Sequence, residues 1–89
     1  MAKLEATPEE IRNFRGSLLD YNERLKDKTI SLRANFDELS QTWQDNQQQK
    51  FATEFETLEK LIQSFLMNSE EFIQYLEKKS IKIDTYLER

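Results

Sequence analysis

The chemistry open to this chain is narrow, because its 89 residues include no histidine and no cysteine. That removes the commonest general base, the thiol nucleophile and most transition-metal ligation schemes. A carboxylate site remains conceivable, and 17 acidic residues are there to supply one. Helical di-iron sites, however, use Glu-x-x-His pairs on facing helices, a motif that cannot exist here. Glu54, Glu56, Glu59, Glu70 and Glu71 also fall mostly off the apolar stripe of their segment, so neither helix gathers them into a buried pocket. No glycine-rich phosphate loop and no serine-hydrolase elbow is present. The residues predict a protein that is not an enzyme and holds no metal or cofactor.

Charge and hydropathy narrow the partners further. The net charge of −4 is mild and both signs are spread along the chain. No basic footprint for a phosphate backbone results, so nucleic acid is not expected as a ligand. No apolar run approaches the roughly 20 residues of a membrane span. The first ten residues, MAKLEATPEE, turn polar before a signal-peptide core could form, so any export is expected to follow a leaderless route.

With one glycine, one proline and 34% charged residues, the chain has little turn-forming material. That composition predicts an all-α protein built from long helices. Apolar residues recur at Ile11, Phe14, Leu18, Tyr21, Leu25, Leu32, Phe36, Leu39 and Trp43, in steps of three, four or seven. After the polar interval TWQDNQQQK, Thr42 to Lys50, the pattern resumes at Phe51, Phe55, Leu58, Ile62, Phe65, Phe72, Leu76 and Ile83. The second stripe is centred roughly 70° from the first, so one straight helix is the poorer reading. An antiparallel two-helix hairpin lets the stripes meet. We therefore expect a single domain over residues 1–89, with helix 1 at about 8–41, a turn at about 42–46 and helix 2 at about 46–87.

Local signals support this layout. Met1 to Ala6 reads as a frayed lead-in. Thr7, Pro8 and Glu10 form a helix start, with threonine as N-cap, proline at the first helical position and glutamate closing a capping box. Gly16 lies opposite the stripe, toward solvent. Leu19 and Ile30, three turns apart, share a second face. Asp45 is placed to cap the second helix, with Gln48 completing a second capping box, and Asp45 and Asn46 tolerate the left-handed backbone a tight reversal often uses. Ser69 reads as a small gap in the core, and Lys78, Lys79 and Lys82 suit the negative end of the helix dipole. Leu61, Leu66 and Ile73 broaden the second stripe to roughly 140°, more than one partner helix covers. The hairpin is therefore expected to dimerise into a four-helix bundle. Its partner face would draw on Phe51, Phe55, Leu58, Leu61, Ile62, Phe65, Leu66, Phe72, Ile73 and Leu76.

The layout, with Leu39, Trp43 and Phe51 at the reversal, resembles the WXG100 proteins, small helical hairpins related to ESAT-6 that are exported by type VII secretion. Trp43-Gln44-Asp45 stands where that family has Trp-x-Gly, a divergent form with aspartate in the glycine position. The family's export mark, a tyrosine followed four residues later by an acidic residue, is not matched: Tyr75 is followed at that offset by Lys79, and Tyr86 has only three residues after it. The resemblance implies a homodimer, or a companion that pairs with a related hairpin or a larger secreted protein, with a secretion ATPase as a further partner. Trp43 and Asp45 would serve recognition at the tip, or Trp43 would simply seal one end of the hairpin. The alternative is a cytoplasmic helical-bundle adaptor or chaperone holding another protein's amphipathic segment. A coiled-coil rod fits less well, because Tyr, Phe, Ser and two lysines, Lys28 and Lys79, interrupt the heptads.

Overall fold

The computed structural model describes residues 6–87, with the side chain of Leu87 left aside. Apart from Ala6, the expected lead-in lies outside the described residues. The fold is an antiparallel helical hairpin of α1 (Pro8–Leu39) and α2 (Asn46–Leu87). No strand occurs among the described residues. The hairpin measures 66 × 24 × 18 Å, and its long axis is the length expected for the 42 residues of α2 at about 1.5 Å each.

α1 starts as its sequence dictates. The Thr7 hydroxyl accepts from the Glu10 N–H at 3.1 Å, and the Glu10 carboxylate accepts from the Thr7 N–H at 2.9 Å. Pro8 occupies the first turn, where a missing N–H leaves no bond unmade. Gly16 is exposed and has no atom within 4 Å of where a side chain would begin.

α1 ends at Leu39, two residues short of the expected boundary, and Ser40 caps it. The Ser40 and Trp43 N–H groups close on the Phe36 and Leu39 carbonyls at 2.9 Å each. The Ser40 hydroxyl also donates to the Phe36 carbonyl. No described residue has a positive φ, so the reversal uses no left-handed backbone, contrary to expectation. The six residues from Ser40 to Asp45 are enough to turn the chain with ordinary dihedrals, so the turn does not call for glycine.

The two helices meet along a seam whose α2 side alternates steps of four and three without a break. It runs through Gln48, Ala52, Phe55, Glu59, Ile62, Leu66, Ser69, Ile73, Leu76, Ser80 and Ile83, all buried or half-buried. The α1 side runs through Ile11, Arg15, Leu18, Asn22, Leu25, Thr29, Arg33, Phe36 and Ser40. The alternation there slips once, from Thr29 to Arg33, where four residues stand in for three. Such a stutter locally unwinds the supercoil. It brings Arg33 into the seam and leaves Leu32 48% exposed. The heptads of α2 are thus continuous, and those of α1 slip only once, when polar positions are counted. Tyr21 and Lys28 lie outside the seam, and Ser69 and Ser80 lie within it.

Candidate protein-protein interface

The seam consumes few of the large apolar side chains. Ile11, Phe36, Phe55 and Ile73 are its buried hydrophobic members, with Phe55 at 2% exposure. Phe36 and Phe55 meet edge to face with centroids 5.9 Å apart, a favoured aromatic geometry. Midway along, the seam is polar: Asn22 Nδ2 donates to the Ser69 hydroxyl at 2.7 Å, both residues being buried. Ser69 is therefore a hydrogen-bond partner rather than a mere gap. Asn22 Oδ1 and Arg15 Nε, also buried, have no hydrogen-bond partner. A seam of this composition is a compromise between packing and polar satisfaction.

Glu59 sits in the seam as well, where stripe geometry had placed it outside. Arg33 donates to it through Nε at 3.0 Å and through a second, shorter bond from the guanidinium. Arg33 also reaches Asp37 at 3.1 Å and lies with its Cζ 4.9 Å from the Phe55 ring centroid. The fork geometry of arginine suits both the bidentate pair and the ring face. Arg33 holds the Glu59 carboxyl below its ordinary range.

On either side of the seam the hairpin presents a different flank. One carries the ion pairs: Arg12 with Asp84 at 2.7 Å, Arg15 with Glu77 at 3.0 Å, and Arg33 with Glu59. A hollow of about 580 Å³ on this flank is lined by Lys26, Arg33, Glu56, Glu59 and Lys60 around Ile30 and Ile62. Leu19 and Ile30, the expected second face, both lie here. Ile30 is 68% exposed and stands among charges.

The other flank is aromatic. α2 supplies Phe51, Leu58, Phe65 and Phe72 at intervals of seven, and α1 supplies Phe14, Tyr21, Leu32 and Leu39; all eight are exposed. Tyr21 and Phe65 join across the helices, edge to face at 6.2 Å. A hollow of about 340 Å³ opens between Phe14, Leu18, Phe65, Asn68, Ser69 and Phe72. Leu61 and Tyr75 extend the same surface outward, each three residues beyond a flank position. Of the ten residues expected on the partner face, the hairpin's own packing takes up Phe55, Ile62, Leu66, Ile73 and Leu76 in whole or part. Phe51, Leu58, Leu61, Phe65 and Phe72 remain uncovered. Scattered exposed hydrophobics are ordinary, whereas these lie in a continuous strip along one side.

At the tip, Asp45 caps α2 by accepting from the Gln47 and Gln48 N–H groups at 3.0 Å each. The expected reciprocal bond from Gln48 is not made. Its side chain instead donates to the Ser40 hydroxyl at 2.9 Å, tying the start of α2 to the end of α1. The Gln48 N–H and then the indole N–H of Trp43 hold the Asp45 carboxyl below its ordinary range. Asp45 thus serves as the cap of α2 in a turn that needs no glycine, and Trp43 is half-buried.

No group of three or more carboxylates that could hold a metal ion is present among the described residues. None of their helices is long and apolar enough to cross a membrane. A family model described as WXG100, proteins of 100 residues with WXG, matches residues 3–84. No curated protein and no solved structure gives a match.

Proposed function

Because this chain belongs to the WXG100 family, whose members are ESAT-6-like secreted hairpins of type VII secretion that typically pair with each other, we propose that it works as a non-enzymatic pairing hairpin. Its aromatic flank docks against a second helical hairpin, either its own copy or a relative, or against the helical part of a larger secreted protein. The pair is then handled by a type VII system as substrate or co-substrate, with the secretion ATPase as its downstream contact.

The observation that supports this reading is the asymmetry of the flanks. The ion-paired side joins its charges across the helices, while the aromatic side leaves large rings exposed that the chain's own contacts do not cover. The chemistry required is burial alone. The test is export in the native host. Wild-type protein should reach the medium only while the membrane ATPase is intact, and Phe65→Asp should stay in the cell while remaining helical. Undiminished export of Phe65→Asp would contradict the reading. The lysine at position 79, where the family's export mark needs an acid after Tyr75, favours the co-substrate role over independent export. It equally suits a second reading, a cytoplasmic adaptor that keeps the same flank but never leaves the cell. Intracellular retention regardless of the ATPase, together with a flank-dependent complex, would select that second reading.

A further inference from the structure

The seam is not uniform along its length. The Asn22–Ser69 bond crosses it near the middle and divides it into an inner half beside the turn and an outer half beside the chain ends. Each half holds two buried hydrophobics, yet the two are closed by different chemistry.

In the inner half the buried pair is Phe36 and Phe55, and Phe51 joins them in a cluster of three rings with centroids 5.1 to 5.9 Å apart. Arg33 binds Glu59 through two hydrogen bonds and covers the Phe55 ring, and Gln48 donates to Ser40. The short turn at 40–45 keeps the helices near each other, so reclosing this half loses little loop entropy.

In the outer half the buried pair is Ile11 and Ile73, without an aromatic ring between them. Arg12–Asp84 and Arg15–Glu77 span it, with side chains 30% to 55% exposed, and ion pairs so exposed contribute little. Arg15 Nε is buried here without a partner, as is Asn22 Oδ1 at the boundary. Ser80, almost wholly buried, donates to the Glu77 carbonyl of its own helix and so adds no bond to α1. Each bond left unmade favours an open state in which water makes it. Once parted from α2, residues 8–21 are close to the roughly 12–15 residues at which an isolated helix is marginal, so parting also melts them.

The 340 Å³ hollow of the aromatic flank straddles the boundary. Phe14 and Leu18 reach it from the outer half of α1, whereas Phe65 and Asn68 reach it from the inner half of α2. Opening the outer half removes the α1 wall and leaves Phe65 where it stands.

We propose that the outer half is a gate. Residues 8–21 part from residues 70–87 as one unit, with the Asn22–Ser69 layer as the boundary, while the inner half stays closed. The hollow exists only when the gate is shut. Its consequence rests on the pairing reading above: a partner seated in the hollow binds the shut form alone and therefore holds it shut. Docking and closure of the outer half are then one event.

Hydrogen exchange read by mass spectrometry, on the full chain at about 1 μM and with no partner added, tests the gate. Amides in 12–21 and 70–86 should exchange at one shared rate, at least about tenfold faster than those in 25–38 and 51–66, with a step at the Asn22–Ser69 layer. Phe55→Leu should speed the inner half by about tenfold and leave the outer half unchanged, because the outer half opens without disturbing Phe55. Ile73→Ala should speed the outer half by a similar factor. A smooth gradient from the chain ends inward, with no step, overturns the gate. So does Phe55→Leu speeding both halves equally, since the hairpin then opens in one piece. The free chain is what is read, so export of Phe65→Asp at the wild-type level would remove the gate's partner and leave the gate.

Discussion

The two flanks of this hairpin are built from the same two helices and border the same seam, yet they are finished differently. Along one, Arg12, Arg15 and Arg33 reach across to Asp84, Glu77 and Glu59, so these charges are paired within the chain. Along the other, Phe14, Tyr21, Phe65 and Phe72 are left at 43% to 61% exposure even where Tyr21 and Phe65 meet across the helices. A two-helix hairpin buries only one line of contact per helix. The residues just beside that line are half in and half out, and their chemistry decides whether the flank is to face water or a partner. Here the seam itself holds Asn22, Ser69 and Ser80, while larger apolar groups sit beside it. The apolar surface is therefore invested in a face that the monomer cannot close.

The most direct way to break this contrast is to place a charge on each flank in turn. Phe65→Asp should lower the affinity for the partner hairpin by at least about 100-fold, as expected for a central aromatic anchor, with helicity retained. Ile30→Asp, on a residue equally apolar and more exposed, should change it less than about threefold. Isothermal titration or sedimentation of both variants makes the comparison, and equal effects would remove the distinction between the flanks.

The seam supplies the next largest effect, now on stability instead of assembly. Phe55→Ala should cost about 3–5 kcal/mol in urea unfolding, because it opens a cavity at the most buried aromatic and removes the ring beneath Arg33. Smaller is the response of the polar pair. Ser69→Ala alone should cost about 1–2 kcal/mol by orphaning Asn22 Nδ2. Asn22→Leu combined with Ser69→Ala should recover most of that loss, since no buried donor is then left unpaired. A double variant as unstable as the single would show that the site is set by shape instead.

Acid separates the flanks without mutation. Glu59 and Asp45 have carboxyls held below their ordinary values of 4.5 and 3.8, by Arg33 and by the Gln48 N–H respectively. Their contribution to stability is complete above those ordinary values and is lost as pH falls through the lower folded-state ones. Thermal stability should therefore hold from neutral pH down to about pH 5 and decline below about pH 4, with Glu59→Gln flattening the decline. The aromatic flank is built from Phe, Tyr and Leu side chains, so its burial should persist after the ion pairs fail. The smallest effect is Gly16→Ala, a site with open space around it and distant from both flanks, which should raise stability by about 0.5–1 kcal/mol and leave assembly untouched.

Much of this was legible in the sequence, and what was not has a common cause. The helix start at Thr7, Pro8 and Glu10 and the cap at Asp45 follow from local chemistry that operates within four residues. The hairpin follows from the phase break between the two apolar stripes. The stripes themselves, however, were drawn through hydrophobic residues alone, and that choice rotates them off the true seam. On α1 the stripe through Phe14, Tyr21, Leu32 and Leu39 is centred on the flank, while Asn22, Thr29 and Arg33 hold the contact line. The missing signal was the unbroken alternation of fours and threes from Gln48 to Ile83, visible only when Glu59, Ser69 and Ser80 are counted as members. Arg33 was invisible for a further reason. It enters the seam through a one-residue slip and meets there a Glu59 partner 26 residues away. The turn differs in detail for the same reason: Gln48 finds the Ser40 hydroxyl across the reversal, a contact no local rule anticipates.

Hydroxyl-radical footprinting of the protein in its native assembly tests the central asymmetry most directly. Tyr21, Phe65 and Phe72 should lose most of their labelling relative to the dissociated chain, while Leu19 and Ile30 keep theirs. Protection of Ile30 with Phe65 and Phe72 still open would place the partner on the ion-paired side and contradict the account.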